Sequence, residues 1–266
     1  MADLRIYGTL LRATLAGQAS YRLSFGLELL GAALGVGLDF VELFAVFYQV
    51  PVLGGFTFAE AVLVFALASI GFALADLLVG QTDRVVDHVR TGTFDVLLLR
   101  PLSLLGQLAV AELQLRRLGR IAVSVVLLVL ALGRLDVTWT PARVGLLALT
   151  PLTGAVVFGA LFVVAGSATF WVVEGTELGS AFTYGSGYLS QWPIGVLGPV
   201  LARFFTFVIP AAFTGYLPAL AILGRDDPSG LPSWLPWASP LAAVLAAAAA
   251  GWLWRTGVRH FVGAGG

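Results

Sequence analysis

Apolar residues run along this chain in long blocks separated by short polar stretches. Crossing a bilayer as a helix takes about 20 predominantly apolar residues. Six blocks approach or exceed that length, at residues 24–49, 57–80, 118–132, 144–173, 194–223 and 241–255. The third is short unless it begins before Arg116. The fifth is long but holds Pro199, Pro210 and Pro218, each able to remove a backbone hydrogen bond and bend or interrupt a helix. A helix followed by a re-entrant piece is expected there.

The polar stretches have patterns of their own. Residues 1–23 place Leu4, Tyr7, Leu11 and Leu15 at helical spacing, with Arg5, Arg12 and Arg22 able to reach phosphates. An amphipathic helix lying in the membrane interface is expected. Arg12 interrupts the early apolar run, so a cleaved leader is not expected. The longest stretch outside the blocks, residues 81–117, begins "QTDRVVDHVRTG". Val85, Val86 and Val89 there share one helical face, with Asp83, Arg84, Asp87 and Arg90 around the others. A short amphipathic helix ending at Gly92 is predicted.

Composition supports a membrane protein. Of 266 residues, 59% are hydrophobic and 11% charged, and mean hydropathy is +0.94; a soluble domain carries about twice that charged fraction. The fold class is therefore all-α, a single polytopic membrane domain over residues 1–266. No cysteine is present, which excludes disulfides, thiolate catalysis and cysteine metal sites. Every basic residue is arginine. Without lysine there is no P-loop and no Schiff-base chemistry. Net charge is zero, and dispersed arginines give no nucleic-acid footprint.

Arginine distribution sets the orientation. With the N-terminus inside, 11 arginines face the cytoplasm, against Arg134, Arg143 and Arg225 outside, and Arg203 falls within a span. Both termini are then cytoplasmic. The outer loops carry Trp139, Trp234 and Trp237 at the height of an aromatic belt.

Residues 92–102 read "GTFDVLLLRPL". Thr93 can cap a second short helix, with Asp95 in its first turn, Arg100 in its last, and Pro101 barring continuation. Six spans, an interfacial N-terminal helix and a short helical element between spans two and three resemble the permease subunits of bacterial type 2 (ABC-2) ABC exporters. "GTFDVLLLRPL" is similar to the Gly-x-x-Asp-x-x-Leu-x-Arg-Pro signature of one branch, through Gly92, Asp95, Leu98, Arg100 and Pro101. "FTFVIPAAFTGYLPALAILG" is similar to that branch's Ile-Pro and Leu-Pro-Ala pattern.

The resemblance implies a coupling helix, within a coupling segment at 81–104, that docks on a separate ATPase through Asp83, Arg84, Val85, Val86, Asp87, Val89 and Arg90. It implies ATP and magnesium on that partner, none on this chain, and a second permease, the same chain or a related one. The first and fifth spans would line the path, in a bacterial inner membrane. Val86→Asp is expected to uncouple hydrolysis from transport.

Ionisable groups inside spans are costly unless paired or hydrated. Glu28, Glu60 and Asp76 lie near predicted ends, where interfacial water serves them. Asp39 and Glu42, spaced i, i+3 within the first span, are candidates for a polar path or for a hydrogen-bonded packing pair. Arg203 can snorkel or pair with Glu28 or Asp76. "GAALG" at 31–35 permits close helix approach. His88 and His260 lie outside the spans, there is no HExxH, and "YGSGY" lacks the glycine of a rhomboid-like nucleophile, so an enzyme is not expected. The expected function is a permease subunit of an ATP-driven exporter for a hydrophobic or amphipathic substrate. The alternative is a self-sufficient secondary transporter or channel using Asp39 and Glu42.

Overall fold

A computed structural model describes residues 22–99, 102–111, 113–172, 176–228 and 230–261. The expected interfacial helix, except its last two residues, and the motif residues Arg100 and Pro101 lie outside the described residues.

Helix α1 (Arg22–Gln49) leads into an antiparallel pair of two-residue strands, β1 (Val52–Leu53) and β2 (Phe56–Thr57), with Leu53 opposite Phe56. Gly54 and Gly55 between them have φ of +57° and +82°. Two successive positive values are what a tight hairpin turn of this hand demands, and glycine adopts them without penalty. Helix α2 (Phe58–Val79) follows at once. It is apolar on every side and buried for most of its length, as expected of a helix with no polar face.

A 3-10 turn (Gly80–Arg84) and the short helices α3 (Val85–Arg90), α4 (Thr93–Leu98) and α5 (Leu104–Ala111) then lead to α6 (Leu118–Leu132). Helix α7 (Pro141–Ala168) opens with proline at its first position, where no amide hydrogen is needed, and Thr140 Oγ1 accepts from the Arg143 amide. Helix α8 (Thr176–Ser190) comes next, then the broken segment α9 (Gly198–Phe207), a 3-10 turn (Pro210–Thr214) and α10 (Tyr216–Leu223), and finally α11 (Ser239–His260).

Helices α2 and α7 form the centre, with α6, α8 and α11 packed around them. They cross closely: a Cβ on Gly71 would lie 3.1 Å from Gly154 Cα. Helix α1 leans mainly on α6 and buries only Val36, Leu43 and Phe47.

Among the described residues, four helical stretches are long and apolar enough to cross a membrane: Arg22–Gln49, Phe58–Arg90, Pro141–Ala168 and Leu235–His260. The expected third span is α6, whose 15 residues rise only about 22 Å, short of the roughly 30 Å hydrocarbon core. The expected fifth is broken as foreseen, but its prolines cost little. Pro199 and Pro210 lie in the first turns of α9 and the 3-10 turn, and Pro218 lies in the first turn of α10. Amide hydrogens at those positions have no partner within the helix.

Helix α8 was not expected. Its sequence, "TELGSAFTYGSGYLS", mixes glycine and hydroxyl residues, and Thr183, Ser186 and Ser190 turn their hydroxyls back on the helix. Thr183 Oγ1 donates to Gly179 O, and Ser190 Oγ to Gly187 O. Where Gly187 faces α2, a Cβ would meet the Phe72 ring at 2.5 Å.

Candidate functional site

The stretch from Gly80 to Leu98 is pinned to one end of the bundle. Val85 and Val86 are buried, while Arg84, Asp87 and Arg90 are exposed and His88 and Val89 are partly covered. The apolar face of α3 is thus turned inward onto its own chain. Val86, at 8% exposure, packs against its own chain, while Arg84, Asp87 and Arg90 stay exposed. Asp83 is described through its backbone alone.

Gly92 has φ +70° and open space where a Cβ would be, so its backbone conformation is the requirement. It is also the residue preceding α4. Thr93 is the first helical residue instead of the expected cap, and its hydroxyl bonds backward at 3.0 Å to His88 Nδ1 and 2.9 Å to Thr91 Oγ1. Asp95 sits in the first turn of α4 as expected, and Leu98 is exposed.

Two residues not singled out from sequence fix this segment. Phe94, fully buried, stacks edge-on to Phe261 at 4.8 Å and packs against Phe170 at 5.4 Å; Phe170 in turn meets Trp254 at 5.4 Å. It ties α4 to the ends of α7 and α11. Gln107, also buried, donates from Nε2 to the carbonyls of Leu97 and Leu102, both at 3.1 Å, bridging α4 to α5.

The other fixed point is ionic. Arg117 Nη1 forms an ion pair with Asp76 Oδ1 at 2.8 Å, and Arg120 Nη1 lies 3.8 Å from Asp76 Oδ2. Asp76 and Arg117 are both buried. Gly80, where the 3-10 turn starts, lies directly over this pair; a Cβ there would collide with Asp76 Oδ1 and Arg117 Nη1. Asp76 is therefore paired within the protein, not served by interfacial water as expected. Arg203 is exposed and makes no ion pair among the described residues, so its expected partnership with Glu28 or Asp76 is not formed.

A polar cavity of about 560 Å³ opens beside that pair. Glu28, Gly35 and Asp39 of α1 line one wall, with Arg116, Arg120 and Tyr184 opposite. Positions 28, 35, 39 and 42 are spaced by seven, four and three residues, so Glu28, Asp39 and Glu42 share one stripe of α1 rising about 21 Å. Glu42 accepts a 2.6 Å hydrogen bond from the Tyr188 hydroxyl. Asp39 accepts no hydrogen bond from a described residue and shares the lining of this cavity with Arg120. The carboxylate stripe and the phenols of α8 line up polar groups that are costly against lipid unless they are paired or hydrated.

At the opposite end of α2, Glu60 accepts from the Thr57 amide at 2.7 Å and from Arg225 Nη1 at 3.0 Å. That arginine lies 5.3 Å over the Phe56 ring. These contacts close off the end and present no binding group. A second, apolar cavity of about 730 Å³ lies where the fifth segment breaks, between Phe207, Ile209 and the alanines of α11. No group of three or more metal-ligating side chains occurs among the described residues.

Against known families, the one described as ABC-2 family transporter protein matches residues 33–265. The chain belongs to the ABC-2 transporter family. Comparison with curated proteins and with solved structures found no match. The ABC-2 match runs from within α1 nearly to the last residue; it takes in the Gly80–Leu98 segment and the cavity residues from Gly35 onward, while Glu28 lies before it. Membership makes the chain a multi-pass membrane component, of the permease kind, of an ABC transporter.

Proposed function

We propose that this chain is the permease subunit of an ATP-driven exporter, moving a hydrophobic or amphipathic substrate outward with hydrolysis on a separate ATPase. The observation that carries this reading is the posture of α3. Arg84, Asp87 and Arg90 are exposed, while Val85, Val86, Phe94 and the Asp76–Arg117 pair hold the segment to the bundle. A charged helical face on a stiff mount suits receipt of a push from a docked partner. ATP and magnesium belong to that partner.

The path runs along the polar cavity. Asp39 and Glu42 of α1, with Tyr184 and Tyr188 of α8, supply its hydrogen-bonding wall. The open side of α1 faces a second permease, the same chain or a related one, since carboxylates along it would otherwise meet hydrocarbon. Such a lining suits an amphipathic molecule with a hydrogen-bond-donating or positive group. Arg203 lies on the exposed side of α9, where it would reach water or the second permease. Both termini and the Gly80–Leu98 end are cytoplasmic by the arginine count, in a bacterial inner membrane. The six-span topology, with a short third span and a broken fifth, goes with this orientation, as do the roles of Gly92, Asp95, Leu98, Arg100 and Pro101 at the exit of the coupling helix.

The deciding experiment is a mild-detergent pull-down of the tagged chain from native membranes, with mass spectrometry and an ATPase assay. Recovery of a nucleotide-binding subunit with hydrolytic activity is expected. Recovery of the chain alone, without hydrolysis, would favour a self-sufficient transporter working through Asp39 and Glu42.

A further inference from the structure

Asp76 receives its two arginines unequally. Arg117 is in full contact at 2.8 Å, whereas Arg120 stands off at 3.8 Å. The guanidinium of Arg120 lies 5.5 Å from the centroid of the Phe72 ring, a smooth cationic seat between two anions. On one side is Asp76; on the other, lining the same polar cavity, is Asp39, whose charge is opposite to that of Arg120. Arg120 is more open to the cavity than Arg117. One cation is thus shared by two carboxylates, one facing the path and the other lying under Gly80.

We infer that Arg120 is a positioning residue that reports occupancy of the path to the coupling segment. With the cavity empty, Asp39 holds Arg120 partly away from Asp76. When a ligand's donor group satisfies Asp39, that pull is lost and Arg120 closes onto Asp76. Asp76 is packed against Gly80 so tightly that no side chain fits between them. A change in how its carboxylate is held is therefore felt at the start of the 3-10 turn that carries α3. Thr82 of the same turn lies backbone-to-backbone against Gly166 of α7, so the turn moves only with the helices around it. The device has two discrete arrangements, as coupling between sites requires. It rests on the proposed docking of an ATPase at α3.

The test uses the chain co-purified with its ATPase, in nanodiscs with no substrate added. Asp39→Asn removes the competing charge with almost no change in shape and mimics an occupied path. Basal hydrolysis is expected to rise about fivefold or more, the scale of ordinary coupling energies. Arg120→Gln should show no such rise, and adding Asp39→Asn to Arg120→Gln should change nothing further. A rise of equal size in both backgrounds would overturn the inference, because Asp39 would then act without Arg120. So would an unchanged rate in Asp39→Asn with the complex intact by size exclusion.

Asp87→Arg separates this from the broader reading. If that variant loses the ATPase while Asp39→Asn leaves hydrolysis unchanged in its own intact complex, the relay alone fails. If no ATPase accompanies the unmodified chain, both fail together.

Discussion

The Tyr188 hydroxyl donates a 2.6 Å hydrogen bond to Glu42 Oε1, joining α8 to α1 across 146 residues of sequence. It gives a carboxylate within the first span a partner from a helix rich in glycine and hydroxyl residues. Hydrogen bonds to charged groups contribute about 1.5–3 kcal/mol when buried. Both groups here are solvent-open in the isolated chain, so Tyr188→Phe should change thermal stability in detergent by less than ~1 kcal/mol. Its effect is expected on transport, where the unheld carboxylate alters the path. A large stability loss without a transport defect would make the bond a packing feature only.

The Asp76–Arg117 pair is buried at the foot of the bundle. Removing one partner of such a pair leaves an uncompensated charge and costs about 3–5 kcal/mol. Arg117→Met should therefore sharply reduce the yield of monodisperse protein, and Asp76→Leu added to it should restore much of it. Size-exclusion profiles of the single and double variants check this. A double variant as poor as the single would mean that both groups have further essential contacts.

The Gly80–Leu98 segment separates fold from the proposed docking at neighbouring positions. Val86→Asp places a charge at a buried site, where an unpaired carboxylate costs several kcal/mol; loss of folded protein is expected. Asp87→Arg, next to it but exposed, should leave the melting profile intact and lower the ATPase recovered by pull-down. Normal recovery with Asp87→Arg would move the docking face elsewhere.

The contrast shows what was legible in the sequence. Hydropathy located α1, α2, α7 and α11, because a long apolar run has few alternatives to a buried or membrane helix. Helical spacing located α3 and found that its valines share a face. It could not say whether that face meets the bundle or a partner, since both are apolar contacts. Helix α8 escaped because its packing against Phe72 and α7 depends on small residues, which hydropathy scores as loop. Phe94, Gln107 and Arg117 escaped because their partners, among them Phe261 and Asp76, are distant in sequence or lie across a break. The intramembrane charges were visible at once, but only the fold showed that Asp76 and Glu60 are paired and that Arg203 makes no ion pair among the described residues.

Phe94 is the aromatic peg of the motif stretch. Truncating a fully buried phenylalanine costs about 3–5 kcal/mol, and Phe94→Ala removes the contacts to Phe170 and Phe261 together. The variant should melt at markedly lower temperature, and α4 should become the first site of limited proteolysis. Phe94→Leu, which keeps most of the volume, should lie between the two. Equal loss in both would point to the edge-on aromatic geometry, instead of volume, as the requirement.

The outer side of α1 offers the cleanest test of a second permease. Leu27, Leu30, Leu34, Leu38 and Val41 are exposed along it, although the helix is otherwise apolar. In a single chain this stripe would face lipid, which tolerates leucine; Glu28, Asp39 and Glu42 beside it would not be tolerated so readily. Burying the carboxylates under a second copy brings the leucines to its margin. The chain has no cysteine, so a single Leu34→Cys reports without background. Oxidation in native membranes should give a covalent dimer for Leu34→Cys and none for Leu245→Cys, an exposed position on α11. Cross-linking at Leu245 instead would place the seam on the far side of the bundle, and the carboxylate stripe would need another source of water.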